Sequence, residues 1–307
     1  MRAWSAEAHP VPLPPGHRFP MDKYRLLREA CVSAGVFTEA GVAPAPLASP
    51  AELEAAHDPA WVGACLGGTV APRVVRRIGF PWSPALVARC RASVGGTVAA
   101  ARDALAFGFG GTLAGGTHHA GRAEAEGFCV FNDLAVAARV LLAEGAVQRV
   151  AIVDLDVHQG NGTADILAGD GRCFLAGVHG DRNFPFRKVP GDLDIPLADG
   201  TGDAAFLDAC AHAVSAALAF HPDLLLFQAG VDALETDRLG RLHVSPAGMS
   251  ARDRLVLESA RAAGVPVVLT LGGGYGRTIE STVNGHLGTW LAAREICFPR
   301  PRRPRED

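Results

Sequence analysis

The chain has 307 residues, of which 49% are hydrophobic and 20% are charged, and its net charge is −3. This composition is that of a globular protein and excludes the weakly hydrophobic, highly charged class that stays disordered. The small negative charge gives no support for binding to nucleic acid or to an anionic membrane, and no apolar stretch reaches the ~20 residues that cross a bilayer.

The termini and the cysteines indicate the cellular compartment of the protein. The N-terminal MRAWSAEAHPVPLPPGHRFP lacks the apolar core of a signal peptide. The seven cysteines form no C-x-x-C pair and leave one over, which predicts reduced thiols and a cytoplasmic location. Residues 298–307, rich in proline and arginine, are expected to form a disordered tail after a single domain at 1–297.

In chain order, the first 50 residues are predicted to be loop with one helix, which Asp22 caps and which continues to Cys31. A long amphipathic helix is expected at about 83–107, with Ser83 as its cap and Pro84 in its first turn. Beyond it, apolar runs alternate with helix-length segments. Strands are predicted at 149–153, 173–178, 223–228 and 265–271, and helices at 132–144, 204–220 and 246–263.

Apolar strands separated by helices predict a three-layer α/β/α sandwich with a central, mainly parallel sheet. Ligands bind at the carboxyl ends of the strands in such sheets. Polar or glycine-rich segments stand at four such ends: His118 and His119, then Asp154, Asp156 and His158, then Gln228 and Asp232, and finally GGGY at 272–275.

The run DLDVHQGNG suggests a metal site. Alternate residues of an extended segment point the same way, so Asp156 and His158 can share one ion, and Asp232 adds a second carboxylate. A single aspartate at a strand end is more often a helix cap or an ion-pair partner. Two aspartates and a histidine, with a position left for water, suit catalytic zinc, although Fe(II), Co(II) or Mn(II) would also be accepted.

Two further motifs carry polar groups suited to catalysis. His118 and His119 lie in GGTHHAG, and Asp154 is the natural partner that would orient one of the rings. Tyr275 lies in LGGGYGR, where Gly273 and Gly274 let the backbone approach a ligand closely. A phenol placed there can stabilise the oxyanion of an acyl-transfer reaction.

The segments GGTHHAGRAEAEGFCVFND, DLDVHQGNG, QAGVDALETD and LGGGYG resemble, in order and spacing, the four signature blocks of the histone deacetylase superfamily. The resemblance is clear from Val98 to about Trp290. The variant HQGNGT and the early HRFPMDKY are most similar to the class IV branch and its bacterial amidohydrolase relatives. The resemblance implies an arginase/deacetylase-like fold and zinc-dependent hydrolysis of linear amides, mainly of N-acyl-lysine side chains.

The resemblance also assigns residue roles. Zinc would be held by Asp156, His158 and Asp232, and the proton-handling pair would be His118, oriented by Asp154, and His119. Asn161 stands where the best-known members have an aspartate beside the second histidine, so the pKa of His119 is expected to be lower than beside a carboxylate. Tyr275 would donate to the oxyanion.

The remaining implications concern the pocket. The resemblance makes Gly127 and Phe128 one wall, with Phe184 or Phe186 opposite, and the glycines before Tyr275 part of the substrate site. Arg18 and Met21 are similar to residues that line an internal cavity below the zinc. The family also binds structural potassium, through backbone oxygens near Asp154, Asp156 and His158.

Three alternatives remain open at this point. The substrate is either an acyl-lysine peptide or protein, or a small acylated amine such as an acetylpolyamine. An arginase-like hydrolase with two manganese ions shares this architecture, but the sequence after His158 lacks the extra carboxylates that a second ion needs. A non-catalytic acyl-lysine binding module would have little need of both histidines and Tyr275. No motif in the sequence indicates the oligomeric state.

Overall fold

The structure is a computed structural model that describes residues 1–299, so the predicted tail beyond residue 299 lies outside the described residues. Most of its strands are short and buried. They are β1 (Ala3–Ser5), β2 (Val42–Pro44), β3 (Phe109–Gly111), β4 (Val150–Asp154), β5 (Cys173–Gly180), β6 (Leu193–Leu197), β7 (Leu224–Gln228) and β8 (Val267–Thr270).

The helices cover both faces of the main sheet. They are α1 (Lys23–Ser33), α2 (Pro50–Glu54), α3 (Pro59–Gly67), α4 (Pro72–Ile78), α5 (Pro84–Phe107), α6 (Asp133–Ala143), α7 (Asn161–Leu167), α8 (Asp203–Ala219), α9 (Pro246–Ala262) and α10 (Ile279–Cys297). None of the helices within residues 1–299 is long and apolar enough to cross a bilayer.

The main sheet has six strands in the order β3-β8-β7-β4-β5-β6, and all of its pairings are parallel. Together with the helices on both faces, it forms the expected three-layer α/β/α sandwich. Strands β4, β5, β7 and β8 confirm the four predicted strands. The prediction missed β3, β6 and the separate parallel pair of β1 with β2.

Successive side chains of each strand point to opposite faces of the sheet, and this alternation divides the core into two layers. On β4, Ile152 packs into the apolar cluster beneath α5 and α6, whereas Val153 packs into the cluster beneath α8, α9 and α10. The same alternation places Leu226 on the first face and Phe227 on the second. Apolar side chains therefore cover both faces of the sheet and exclude water from them, as is typical of a parallel sheet.

Helix ends follow local sequence signals in most cases. The Ser83 hydroxyl accepts a hydrogen bond from the Leu86 N–H at 3.1 Å, with Pro84 in the first turn of α5, which confirms the predicted start. Asp22 occupies the N-cap position of α1, but its side chain accepts no capping hydrogen bond, so its expected capping role is wrong. All seven cysteines are free thiols.

The strand register sets the position of the site. Asp154, the last residue of β4, pairs with Gly177 on β5 and with Gln228 on β7, and Gln228 in turn pairs with Thr270 on β8. Strands β4, β7 and β8 therefore end level at one edge of the sheet, and β5 continues three residues further, to Gly180. The segments that follow β4, β7 and β8 carry the polar residues singled out above.

Candidate active site

Asp156, His158 and Asp232, hereafter the ligand triad, lie together beyond the ends of β4 and β7. One potential ligand atom from each lies within 4.8 Å of the others, and all three side chains are buried. His158 Nδ1 is 3.0 Å from Asp156 Oδ1 and 3.1 Å from Asp232 Oδ2. One imidazole nitrogen thus faces two carboxylates, which is a donor set that a divalent ion favours.

The electrostatics of the ligand triad also favour a cation. Burial, with repulsion from Asp156 next, raises the pKa of Asp232 to about 7. Burial alone would lower the pKa of His158, but its hydrogen bonds to the two carboxylates raise it to about 10. Two buried carboxylates this close need a positive charge between them, so the residues present fit a divalent metal ion.

Backbone groups orient the carboxylates of the triad. The Gly273 N–H donates to Asp156 Oδ2 at 2.6 Å, and the Val157 N–H donates to Asp232 Oδ1 at 2.9 Å. Glycine is required at 273, because a Cβ there would lie 1.9 Å from Asp232 Oδ2. The glycine-rich segment after β8 is therefore part of the ligand triad's support.

The two histidines lie side by side above the triad. The ring centroids of His118 and His119 are 4.0 Å apart, and both side chains are buried. His118 Nδ1 is 2.7 Å from Asp154 Oδ2, the partner expected from the sequence. Burial would lower the pKa of His118, but the negative charges of Asp154 and Asp156 and the hydrogen bond to Asp154 together outweigh burial and raise the pKa above its usual value.

His119 has a partner of a different kind. Its Nδ1 is 2.7 Å from Asn161 Oδ1, and Asn161 Nδ2 donates to Glu126 Oε1 at 2.8 Å. Because a carboxylate only accepts, Glu126 fixes the Asn161 amide with its oxygen towards His119. The proton of a neutral His119 is then on Nδ1, which leaves Nε2 free to accept another proton.

The pKa of His119 lies well below its usual value. Burial is the main cause, and repulsion from His118 and His158 adds to it. The Asn161 hydrogen bond opposes the shift without reversing it. Glu126 was missed in the sequence, because no spacing signal separates it from an ordinary exposed glutamate.

Tyr275 is held by its backbone with its side chain 9% exposed. Its N–H donates to Asp237 Oδ2 at 2.6 Å, and its carbonyl oxygen accepts from the Arg238 Nε–H at 3.1 Å. Burial raises the pKa of Tyr275 well above 10, so the phenol keeps its proton at neutral pH and can donate it in a hydrogen bond. Asp237 and Arg238 were not recognised in the sequence.

A cavity of about 440 Å³ connects these groups. The residues expected at the site that line it are His118, His119, Gly127, Phe128, Asp156, His158, Phe184, Phe186, Gly273 and Tyr275. Asp154, Asn161 and Asp232 contact these residues from behind and do not line the cavity. Gly274 also lies outside the lining, and its carbonyl oxygen is 3.5 Å from the Lys23 Nζ.

Aromatic side chains form part of the cavity wall. Phe184 stands edge-to-face against His119 with ring centroids 4.9 Å apart, whereas Phe186 is 88% exposed. Phe128 follows Gly127 in a turn where both residues have positive φ, and a Cβ on Gly127 would lie 2.7 Å from the His119 ring. Of the two phenylalanines considered for the opposite wall, the structure thus brings Phe184 to the histidines.

The structure corrects the expected lining of an internal cavity. Arg18 lines the cavity but is exposed, so it belongs to the outer end, and Met21 packs against the apolar core without lining the cavity. The buried cation of this region is Lys23, which is 2% exposed, and burial lowers its pKa to about 8. Its Nζ lies 5.2 Å from the centroid of the Tyr275 ring.

The chain is similar to known proteins over most of its length. Residues 17–288 match the family described as the histone deacetylase domain. An uncharacterized protein of Picosynechococcus sp. is 43% identical over 93% of this chain and 96% of its own. Histone deacetylase 2 of Arabidopsis thaliana is 29% identical, covering 84% of this chain and 70% of the plant protein.

Among solved structures, acetylpolyamine aminohydrolase from Burkholderia pseudomallei superimposes with a TM-score of 0.77, covering 96% of this chain and 99% of that one. The two are 20% identical, so this similarity speaks for the fold alone.

Proposed function

Because the chain belongs to the histone deacetylase domain family, we propose that it is a zinc-dependent amidohydrolase that removes acyl groups from amines, chiefly from N-acyl-lysine side chains. Residues 1–297 would act as one catalytic domain in the cytoplasm. One observation carries the proposal: the ligand triad, two histidines with separate partners and a protonated phenol converge at a single cavity.

Zinc is the ion that we assign to the ligand triad. When bound, it would act as a Lewis acid on the substrate carbonyl and would lower the pKa of water. We also assign a structural potassium ion, held mainly by backbone oxygens near Asp154, Asp156 and His158, as the family resemblance implies.

The protons are handled by the two histidines. His119 is neutral and has Nε2 free, so it is suited to accept a proton from the attacking water. His118, whose pKa is raised beside Asp154, is suited to hold a proton and to give it to the leaving amine. The environments push the two pKa values apart, which is how neighbouring groups come to act as base and acid.

Tyr275 is assigned to the oxyanion. Its protonated phenol lines the same cavity as the ligand triad, on a loop that Asp237 and Arg238 hold by the backbone. Removing one preorganised donor of this kind typically lowers turnover about 10²- to 10³-fold.

The cavity wall suits an aliphatic chain. Phe128 and Phe184 both line the cavity, and Phe184 also contacts His119. A lysine side chain has four methylene groups, and burying each one contributes about 0.8 kcal/mol, so the chain adds roughly 3 kcal/mol to binding. This burial leaves the acyl amide at the polar floor of the cavity.

The alternatives are less well supported. The residues that the structure describes contain one group of three potential metal ligands, which favours a single ion over the two-manganese hydrolase. A binding module without catalysis has no need of a buried phenol and a histidine pair with opposed pKa shifts. Hydrolysis of small acylated amines such as acetylpolyamines uses the same groups and stays a second candidate.

Hydrolysis of an acetyl-lysine peptide by the purified protein, before and after chelation, tests the proposal. We expect acetate release that disappears with the metal and returns with zinc. His119→Ala should abolish it, while His243→Ala, which changes an exposed histidine, should not. Tight binding of the peptide by zinc-loaded protein without any acetate release would identify a binding module instead.

A further inference from the structure

The outer part of the cavity carries an unusual amount of positive charge. Four arginines line it, all of them exposed: Arg18, Arg77, Arg182 and Arg241. Within residues 1–299, the only acidic side chain that lines the same cavity is Asp156, which belongs to the ligand triad at the floor. The part of a bound substrate that stays at the outer end of the cavity therefore lies close to arginine side chains.

Neighbouring carboxylates neutralise only part of this charge. Arg77 Nη2 is 2.7 Å from Glu124 Oε2. Arg241 and Arg182 share one carboxylate oxygen, Asp199 Oδ2, at 3.1 Å and 3.6 Å, and the Arg182 side chain stays 72% exposed.

Arg18 has no ion pair among the described residues. The four arginines thus have two acidic partners, which leaves an excess of two positive charges.

A small side cavity adds a fifth arginine. Arg18, Arg238, Leu239 and Tyr275 enclose about 130 Å³ beside the main cavity. The Nε of Arg238 is used by the Tyr275 carbonyl oxygen, but a guanidinium has five N–H donors in all. Two guanidinium groups around a space of this size suit a carboxylate, which they can bind through paired hydrogen bonds.

We infer that the preferred substrate carries a carboxylate at the outer end of the aliphatic chain whose inner end bears the acylated amine. This inference rests on the proposed deacylase function and narrows its substrate class. Two sources supply that chemistry: an acyl-lysine flanked by acidic residues in a peptide, and a small acylated amine with its own carboxylate. Cationic acylated amines, including acetylpolyamines, are disfavoured by the same arginines.

A matched pair of small substrates tests the inference: Nα,Nε-diacetyl-lysine, which has a free carboxylate, and its neutral carboxamide. One unit charge at about 8 Å from two excess charges in water changes the free energy by about 1 kcal/mol, which is about sixfold in kcat/KM. We expect the carboxylate substrate to be preferred by that factor at low salt, and the preference to shrink in 0.5 M salt, where the screening length is short.

A second arm compares acetyl-lysine peptides with aspartate or with lysine on both sides. If only the peptides show a charge preference, the carboxylate comes from flanking residues; if only the small pair does, it comes from the amino acid itself. Either result supports the inference. Acetylputrescine, a cation, should be the poorest substrate.

Variants test whether the named arginines cause the charge preference. Arg18→Ala combined with Arg182→Ala should remove most of the charge preference while hydrolysis of the neutral carboxamide continues. Arg261→Ala, at the end of α9 that leads into the opposite edge of the sheet, should leave the preference intact. Equal or reversed preference by the unmodified enzyme would overturn the inference, whereas failure to hydrolyse any substrate would instead contradict the deacylase proposal.

Discussion

Replacing Glu126 by alanine is expected to lower kcat about tenfold while leaving KM for a neutral substrate nearly unchanged. Glu126 accepts a hydrogen bond from the Asn161 Nδ2 at 2.8 Å and so keeps the amide oxygen on His119. Without Glu126 the amide can rotate and present its NH₂ group, which favours a proton on Nε2 of His119. That tautomer cannot accept a proton from water.

The magnitude follows from the hydrogen bond that is lost. A hydrogen bond to a charged group contributes about 1.5–3 kcal/mol, and the Glu126 contact is only partly buried, so the lower end applies. About 1.4 kcal/mol in the activation free energy is tenfold in rate. Glu258→Ala, which removes an exposed charge paired on the surface of α9, should change kcat less than twofold.

The assay is a double-mutant cycle with Asn161→Asp, measured as kcat for acetyl-lysine carboxamide. A carboxylate at 161 only accepts, so it holds the proton on Nδ1 of His119 without help. Beside Glu126 that carboxylate would be repelled, so Glu126→Ala should raise the activity of the Asn161→Asp enzyme. An equal loss from Glu126→Ala in both backgrounds would refute the orienting role and leave Glu126 as a structural residue.

Tyr275→Phe should keep its zinc and lose about 10²- to 10³-fold in kcat; unchanged turnover in a steady-state assay would remove the phenol from the oxyanion site. Gly273→Ala should lose zinc measured by mass spectrometry, because its Cβ would lie 1.9 Å from a triad oxygen, whereas Gly288→Ala has open space and should keep it; a zinc-replete Gly273→Ala would contradict the packing. Hydrogen bonds from Arg172 hold the pKa of Asp170 well below its usual value. Because water screens this pair, Asp170→Asn should cost at most about 1 kcal/mol of unfolding free energy at pH 7. That difference should vanish in denaturation experiments as the pH falls below about 3.9 and through the folded-state pKa, and a pH-independent difference would exclude the charge as its source.

The central sheet could be predicted because its inner strands are uninterrupted apolar runs that end in polar residues. Strands β4 and β7 show this pattern, and their register brings Asp154 level with Gln228. The edge strands lack it. Two of the three residues of β3 are glycine, and β6 contains Pro196, which a strand tolerates at an edge where no partner needs its N–H.

The site residues also divide into those that the sequence could predict and those that it could not. Motif residues such as His118, Asp156 and Tyr275 could be named because their types and spacing point to metal and acyl-transfer chemistry. Glu126 and Lys23 could not, since each takes its role from long-range packing. A lysine in the first turn of an amphipathic helix normally faces solvent, and only the packing of α1 beneath the Tyr275 loop buries Lys23.

The metal content of purified, active protein tests the central claim most directly. Elemental analysis of the unmodified enzyme and of His158→Ala, alongside acetyl-lysine hydrolysis by each, measures whether the ligand triad holds the catalytic ion. We expect about one zinc per chain in the active enzyme, and neither zinc nor activity in a folded His158→Ala protein. Hydrolysis by protein that contains no divalent metal, or full zinc occupancy in His158→Ala, would contradict the account.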